Sequence, residues 1–146
     1  MVTRGRTITE SDIVQFGTLT GDFNPMHFDA EFMKQHAFGR RVAHGMLTLS
    51  YAVGQIYQLG HIERTTLAFR GLEVKFSAPV FIGDTIHVES VATEKKEVRR
   101  MGGGWVTSEF RIINQDGVVV QSGTMTILIA SQPSSGGGDK REVNAD

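Results

Sequence analysis

The sequence predicts an α+β fold: helices first, then an antiparallel sheet of about five strands wrapped around one long apolar helix. Three observations carry this reading. Apolar residues recur at helical spacing up to Gly60, then switch to a period of two from Thr65 onward. No residue from Val42 to Gly60 carries a full charge, so a helix there is apolar nearly all round and must be covered on several sides. Asp116-Gly117 lies between two alternating apolar runs, which is a hairpin signal.

Each element follows from local chemistry. Thr9 can cap a helix, and Asp12 three residues later completes an acidic capping box, with Ile13, Phe16 and Leu19 at helical spacing behind it. Asp29 is a second cap, ahead of a helix from Ala30 to Ala37 with Phe32 and Met33 on its inner face. Ala43 to Leu59 is the central helix, and Gly45, Ala52 and Gly54 let other backbone pack close to it. Leu72, Val74 and Phe76 alternate with Glu73, Lys75 and Ser77 as a half-buried strand that Pro79 ends. Gly83-Asp84 makes a turn, Ile86 to Ala92 alternates again, and Met101 to Gly104 is a hairpin tip. Trp105 to Asn114 and Val118 to Ala130 are the last two strands, and a shorter N-terminal strand completes the sheet. Residues 1–130 form a single domain on this reading. The tail from Ser131 to Asp146, rich in Gly, Ser and charge, buries too little apolar surface to order.

A chain of 146 residues, 40% hydrophobic and 21% charged, suits one domain with a real core. The net charge of −1 gives no general pull toward nucleic acid or an anionic membrane. The absence of cysteine excludes disulfides and thiolate chemistry, and it fits a cytoplasmic location. No run approaches the roughly 20 apolar residues of a membrane span, and no apolar signal core follows the N-terminus.

The chemistry concentrates in Gly21-Asp22-Phe23-Asn24-Pro25-Met26-His27. On a continuous helix, Asp22 and His27 would diverge by roughly 140°. Asn24-Pro25 argues against continuity, because proline disfavours helical backbone in the residue before it. A turn can then aim the carboxylate and the imidazole at one spot, an arrangement suited to acid–base chemistry.

Phe16 to His27, with Arg41-Val42-Ala43-His44-Gly45-Met46-Leu47 and Lys75 to Asp84, resembles in order and separation the MaoC-like, (R)-specific enoyl-CoA hydratases of the hot-dog fold. The resemblance covers about Thr9 to Ala130. It implies that Asp22 and His27 hold and deprotonate a water that adds to C3 of a trans-2-enoyl thioester. It implies that Asn24 braces this pair and that the backbone N–H of Gly45 binds the thioester oxygen. An unpaired N–H at a helix N-terminus is physically suited to that task. Met26 replaces a usual Leu, Ile or Val, and Met33 a usual small residue. Val53 stands where a short-chain member carries serine, so Met46 and Val53 become candidates for acyl contact.

The same resemblance implies no cofactor beyond the coenzyme A of the substrate, and an acyl-CoA or acyl-carrier-protein thioester as the molecule bound. A homodimer or dimer of dimers would protect the sheet edge. Two other readings stand beside the hydratase: a hot-dog thioesterase, disfavoured because Val42 to Gly60 holds no carboxylate, and a dehydratase subunit that works with a partner. Arg40 and Arg41 are candidates for the phosphates of coenzyme A, although a charge pair beside a helix is more often simply solvated. His44 reads as a helix-start residue. His36, His61 and His87 lack ligand spacing, so no metal site is expected. Gly102-Gly103-Gly104 reads as a turn, and Glu94 to Arg100 as a solvent-facing strand end.

Overall fold

Nine elements follow one another in the computed structural model, which describes residues 1–131. They are β1 (Arg6–Thr7), α1 (Glu10–Thr20), α2 (Pro25–Phe28), α3 (Ala30–Lys34), α4 (Gly45–Tyr57), β2 (Thr66–Phe76), β3 (Thr85–Val98), β4 (Gly103–Ile113) and β5 (Val119–Ala130). Apart from Ser131, the tail predicted to be disordered lies outside the described residues.

The strands form one antiparallel sheet in the order β1-β3-β4-β5-β2. Irregular registers between Ala92 and Glu94 on β3, and between Phe69 and Gly71 on β2, sharpen the twist of the long strands. The sheet curls over α4, and this is the α+β hot-dog architecture. Ile86, Val88, Phe110, Ile112, Val120 and Ile127 from the sheet meet Leu47, Leu49, Ala52 and Ile56 of α4 in one buried cluster, closed from the N-terminal side by Ile8 and Ile13. No helix among the described residues is long and apolar enough to cross a membrane.

Several elements differ from the sequence reading. Helix α3 ends at Lys34, and Phe32 is 50% exposed whereas Met33 is fully buried. A one-and-a-half-turn helix can bury only one of two adjacent side chains, since neighbours point about 100° apart. The glycine run is not a loose tip. Arg99–Met101 is a single 3-10 turn, Gly102 takes the left-handed conformation, and Gly103 and Gly104 already belong to β4. A Cβ at Gly103 would lie 2.2 Å from the Ile129 carbonyl oxygen, so close strand approach accounts for glycine there.

Helix α4 runs from Gly45 to Tyr57 rather than from Ala43 to Leu59. The curled sheet covers only one side of it. Met46, Ser50, Val53 and Tyr57 recur on one stripe and stay exposed. The edge strand β2 is similarly bare: Leu67, Phe69, Leu72 and Phe76 are all exposed in the single chain, against the half-buried strand that the alternation implied.

The tightest strand approach is at Gly123, where a Cβ would fall 1.9 Å from the carbonyl oxygen of Glu73. Gly123→Ala should therefore push β2 off β5 and lower the unfolding free energy by about 1–3 kcal/mol, read as a lower urea midpoint. An unchanged midpoint would contradict the packing described.

Candidate active site

The capping box forms as its residues dictate. The Thr9 N–H donates to Asp12 at 2.8 Å, and the Asp12 N–H donates back to the Thr9 hydroxyl at 3.3 Å. Helix α1 then runs to Gly21, whose φ of 77° ends it in a left-handed cap with its N–H on the Gly17 carbonyl at 2.8 Å. Three residues later Asn24 starts α2: its side-chain oxygen accepts from the Met26 N–H at 3.1 Å, and Pro25 occupies the first helical position. The Asn24 N–H meanwhile donates to the Asp22 carboxylate at 3.3 Å. Gly17 lets α2 fold back on α1, because a Cβ there would lie 2.4 Å from the Phe28 ring. The predicted turn is thus a left-handed cap followed by a one-turn helix.

This path carries His27 inward, to 6% exposure, while Asp22 stays open to solvent. His27 Nδ1 is 2.8 Å from the Val42 carbonyl oxygen. A carbonyl only accepts, so Nδ1 carries the proton and Nε2 presents a lone pair. That lone pair lies 3.9 Å from Asp22 Oδ2. The gap is too long for a direct hydrogen bond and fits two groups that share one water. Burial holds the imidazole below its ordinary pKa of 6.5; His44 pushes the same way, while the Val42 carbonyl and Asp22 oppose.

The N-terminus of α4 lies against this pair. The Ala43 N–H donates to the Val80 carbonyl at 2.7 Å, and the Val42 N–H to the Met26 carbonyl at 3.1 Å, which ties the entry of α4 to both β3's approach and α2. Gly45 is the first residue of the helix, so its N–H has no intrahelical acceptor. Its carbonyl accepts from Nε2 of the buried Gln121 at 2.9 Å, and a Cβ at this position would collide with the Phe76 ring at 2.6 Å. Glycine is therefore a packing requirement here as well as an open approach to the backbone.

The residue that the sequence reading set aside is His44. Its ring stacks on His27 with centroids 3.8 Å apart, and its Nε2 lies 3.0 Å from the Asp22 carbonyl oxygen. Only its position next to Gly45 hinted at this, because the contacts span 17 and 22 residues of sequence. Asp22, His27 and His44 bring possible metal-ligating atoms within 4.8 Å of one another. The donor chemistry suits a metal poorly, however. Nε2 of His44 faces a carbonyl and its Nδ1 is sealed from solvent without a partner, which leaves two ligands where catalytic zinc takes three.

The other candidates are not gathered here. Arg41 is clasped by the Glu10 carboxylate, and the Arg40 guanidinium rests on the Phe81 ring at 3.8 Å. Met46 and Val53 point away from the core on the outer stripe of α4.

A carboxylate and an imidazole lone pair 3.9 Å apart, beside the N-terminus of α4 on a hot-dog scaffold, form a candidate acid–base site. Residues 2–110 match the model of the MaoC like domain, and the chain belongs to that family. The (R)-specific enoyl-CoA hydratase of Aeromonas caviae is 30% identical over 119 residues, 82% of this chain and 84% of that protein. Protein MaoC of Klebsiella aerogenes is 38% identical over 96 residues, 65% of this chain but only 28% of that longer protein. A solved structure described as a monoamine oxidase regulatory protein from Archaeoglobus fulgius superposes with a TM-score of 0.84 at 38% identity, covering 91% of this chain and 89% of that one.

His27 should titrate below 6.5 when its ring carbons are followed by NMR. Because the folded value is the lower one, the unfolded chain binds the proton first as pH falls. The His27 contribution to stability is then complete above about 6.5 and lost as pH falls through the folded value. Urea midpoints of the wild type and His27→Gln should converge over that window; a midpoint difference that grows on acidification would reverse the sign.

Proposed function

We propose that this chain hydrates trans-2-enoyl-CoA thioesters to (R)-3-hydroxyacyl-CoA and runs the reverse dehydration. The observation that carries the reading is the 3.9 Å gap between His27 Nε2 and Asp22 Oδ2. In the forward direction the pair binds one water and His27 Nε2 takes its proton. The hydroxide oxygen bonds to C3, and the electron pair of the C2–C3 double bond shifts toward the thioester carbonyl. The Gly45 N–H, at the positive end of α4, stabilises the enolate oxygen. A proton from the same acid–base pair reaches C2, so one water is consumed and no redox change occurs. No cofactor or metal takes part on this reading. Asn24 serves from one remove: its backbone N–H orients Asp22 and its side chain starts the helix that carries His27. The (R) outcome is proposed from the hydratase relative that this chain nearly spans.

The thioesterase reading needs a carboxylate on or near the central helix. The buried polar side chains of α4 are Thr48 and Gln55, neither of them an acid. We also propose a homodimer, in which a second copy covers the β2 edge and the Met46–Val53–Tyr57 stripe. In that assembly, acyl contact by Met46 and Val53 takes place at the interface. Arg40, stacked but exposed, is better placed than Arg41 to reach a phosphate.

Asp22→Asn and His27→Gln should each slow crotonyl-CoA hydration by about 10²–10⁴-fold, with unchanged circular dichroism. The assay is loss of the conjugated thioester's ultraviolet absorbance, with chiral analysis of the product. Wild-type rates in both variants, or release of free thiol in place of hydration, would overturn the proposal. Sedimentation should find the wild type dimeric, whereas Phe69→Glu, which charges the bare edge, should shift it toward monomer.

A further inference from the structure

His44 stands where helices ordinarily place Ser, Thr, Asp or Asn, yet its side chain makes no capping bond. It is 2% exposed, and its Nδ1 is buried with no partner. A buried nitrogen without a partner destabilises a fold, so packing alone favours an apolar residue at this position. What the imidazole gives in return is contact with both halves of the site. Its Nε2 faces the Asp22 carbonyl oxygen at 3.0 Å, and its face covers the His27 ring at 3.8 Å and 28°. Phe16 at 5.0 Å and Phe28 edge-on at 5.8 Å fix the ring from the other sides. The next residue is Gly45, whose N–H is the oxyanion donor of the proposed reaction.

We infer that His44 is a positioning residue, which clamps the Asp22 backbone and the His27 ring to the N-terminus of α4 so that base, acid and oxyanion donor hold one geometry. The inference rests on the hydratase reading for its consequence, though not for its structure. The mechanism is tautomeric. The Asp22 carbonyl only accepts, so Nε2 of His44 carries a proton, and the sealed Nδ1, which has no acceptor to donate to, is left without one. His27 carries its proton on Nδ1 because the Val42 carbonyl demands it. The stacked pair therefore consists of two neutral rings in opposite tautomers, and only His27 turns a lone pair toward Asp22. A misplacement of about 1 Å at such a site costs on the order of 10²-fold in rate.

The test combines ¹⁵N NMR of the histidine-labelled full chain with kinetics. At neutral pH, His44 should show the Nε2–H tautomer and His27 the Nδ1–H tautomer. An Nδ1–H or protonated His44 overturns the proposal whatever the activity. His44→Phe keeps a stacking ring but removes both the donor and the orphan nitrogen. It should hold or raise the melting temperature while kcat for crotonyl-CoA falls roughly 10- to 100-fold with little change in KM. His44→Gln, which returns an N–H donor near Nε2, should recover a substantial part of the loss. A purely structural role predicts the reverse, lower stability with kcat preserved per folded molecule, and that result overturns the proposal. If the tautomers hold but wild-type protein hydrates no enoyl-CoA, the functional reading fails and the clamp stands.

Discussion

The Val42 carbonyl accepts from His27 Nδ1 at 2.8 Å, and the remainder of the site is arranged around the consequence. With one ring nitrogen committed, the other must present its lone pair, and the short helix α2 aims it at Asp22. Val42 can serve because its own backbone is held on both sides: its N–H bonds to Met26, on the same helix as His27, and it pairs with Phe81 ahead of β3. The loop that carries the base and the strand-like entry to α4 are therefore one hydrogen-bonded unit. Movement of either would change the tautomer's partner as well as its position, which couples the chemistry of His27 to the packing of the central helix.

That helix reconciles two demands. Its inner face, Leu47, Leu49, Ala52 and Ile56, supplies the core against which the sheet curls. Its N-terminus carries no side-chain cap, which on the proposed mechanism leaves the first N–H groups available. Gln121 resolves the conflict from a distance: its amide bonds the Gly45 carbonyl and fixes the helix start without occupying the N–H groups. The outer stripe of α4 and the bare face of β2 form a second apolar surface that a single sheet cannot cover. This bare surface is what supports the proposed homodimer.

The sequence made the local features legible and left the long-range ones hidden. Thr9 with Asp12 as a capping box, and Asn24-Pro25 as a break between Asp22 and His27, are each decided within four residues, and each formed as its chemistry implies; that the break is a Gly21 helix stop followed by an Asn24 helix start is visible only in the structure. Asp22 and His27 could be paired because the turn between them is written in the same heptapeptide. Burial was harder to read. Periodicity says which residues share a face but not whether anything covers it, so Phe32, Leu72 and Phe76 were placed inside and lie out. The glycine run misled for a related reason: glycine marks both loose turns and tight strand crossings, and only the partner strand distinguishes them. His44 had little local signal beyond its place next to Gly45, since its partners are Asp22 and His27, brought to it by the fold of α1 and α2.

The lowered basicity of His27 suits the proposed reaction, which would run both ways. A strong base would take the water's proton readily and release it reluctantly, which favours one half of the cycle. Burial makes the imidazole a weaker base and its conjugate acid a stronger one, so the proton is returned toward C2 with less resistance. Asp22 opposes burial by favouring the charged ring, and it sits one water away rather than in contact. In the proposed reaction, its carboxylate at that separation would support an imidazolium formed in passing without making it a resting state. Closer approach would form a stable ion pair and hold the proton on His27. The 3.9 Å spacing therefore leaves room for the reactant and limits how firmly the site can retain the proton it has to pass on.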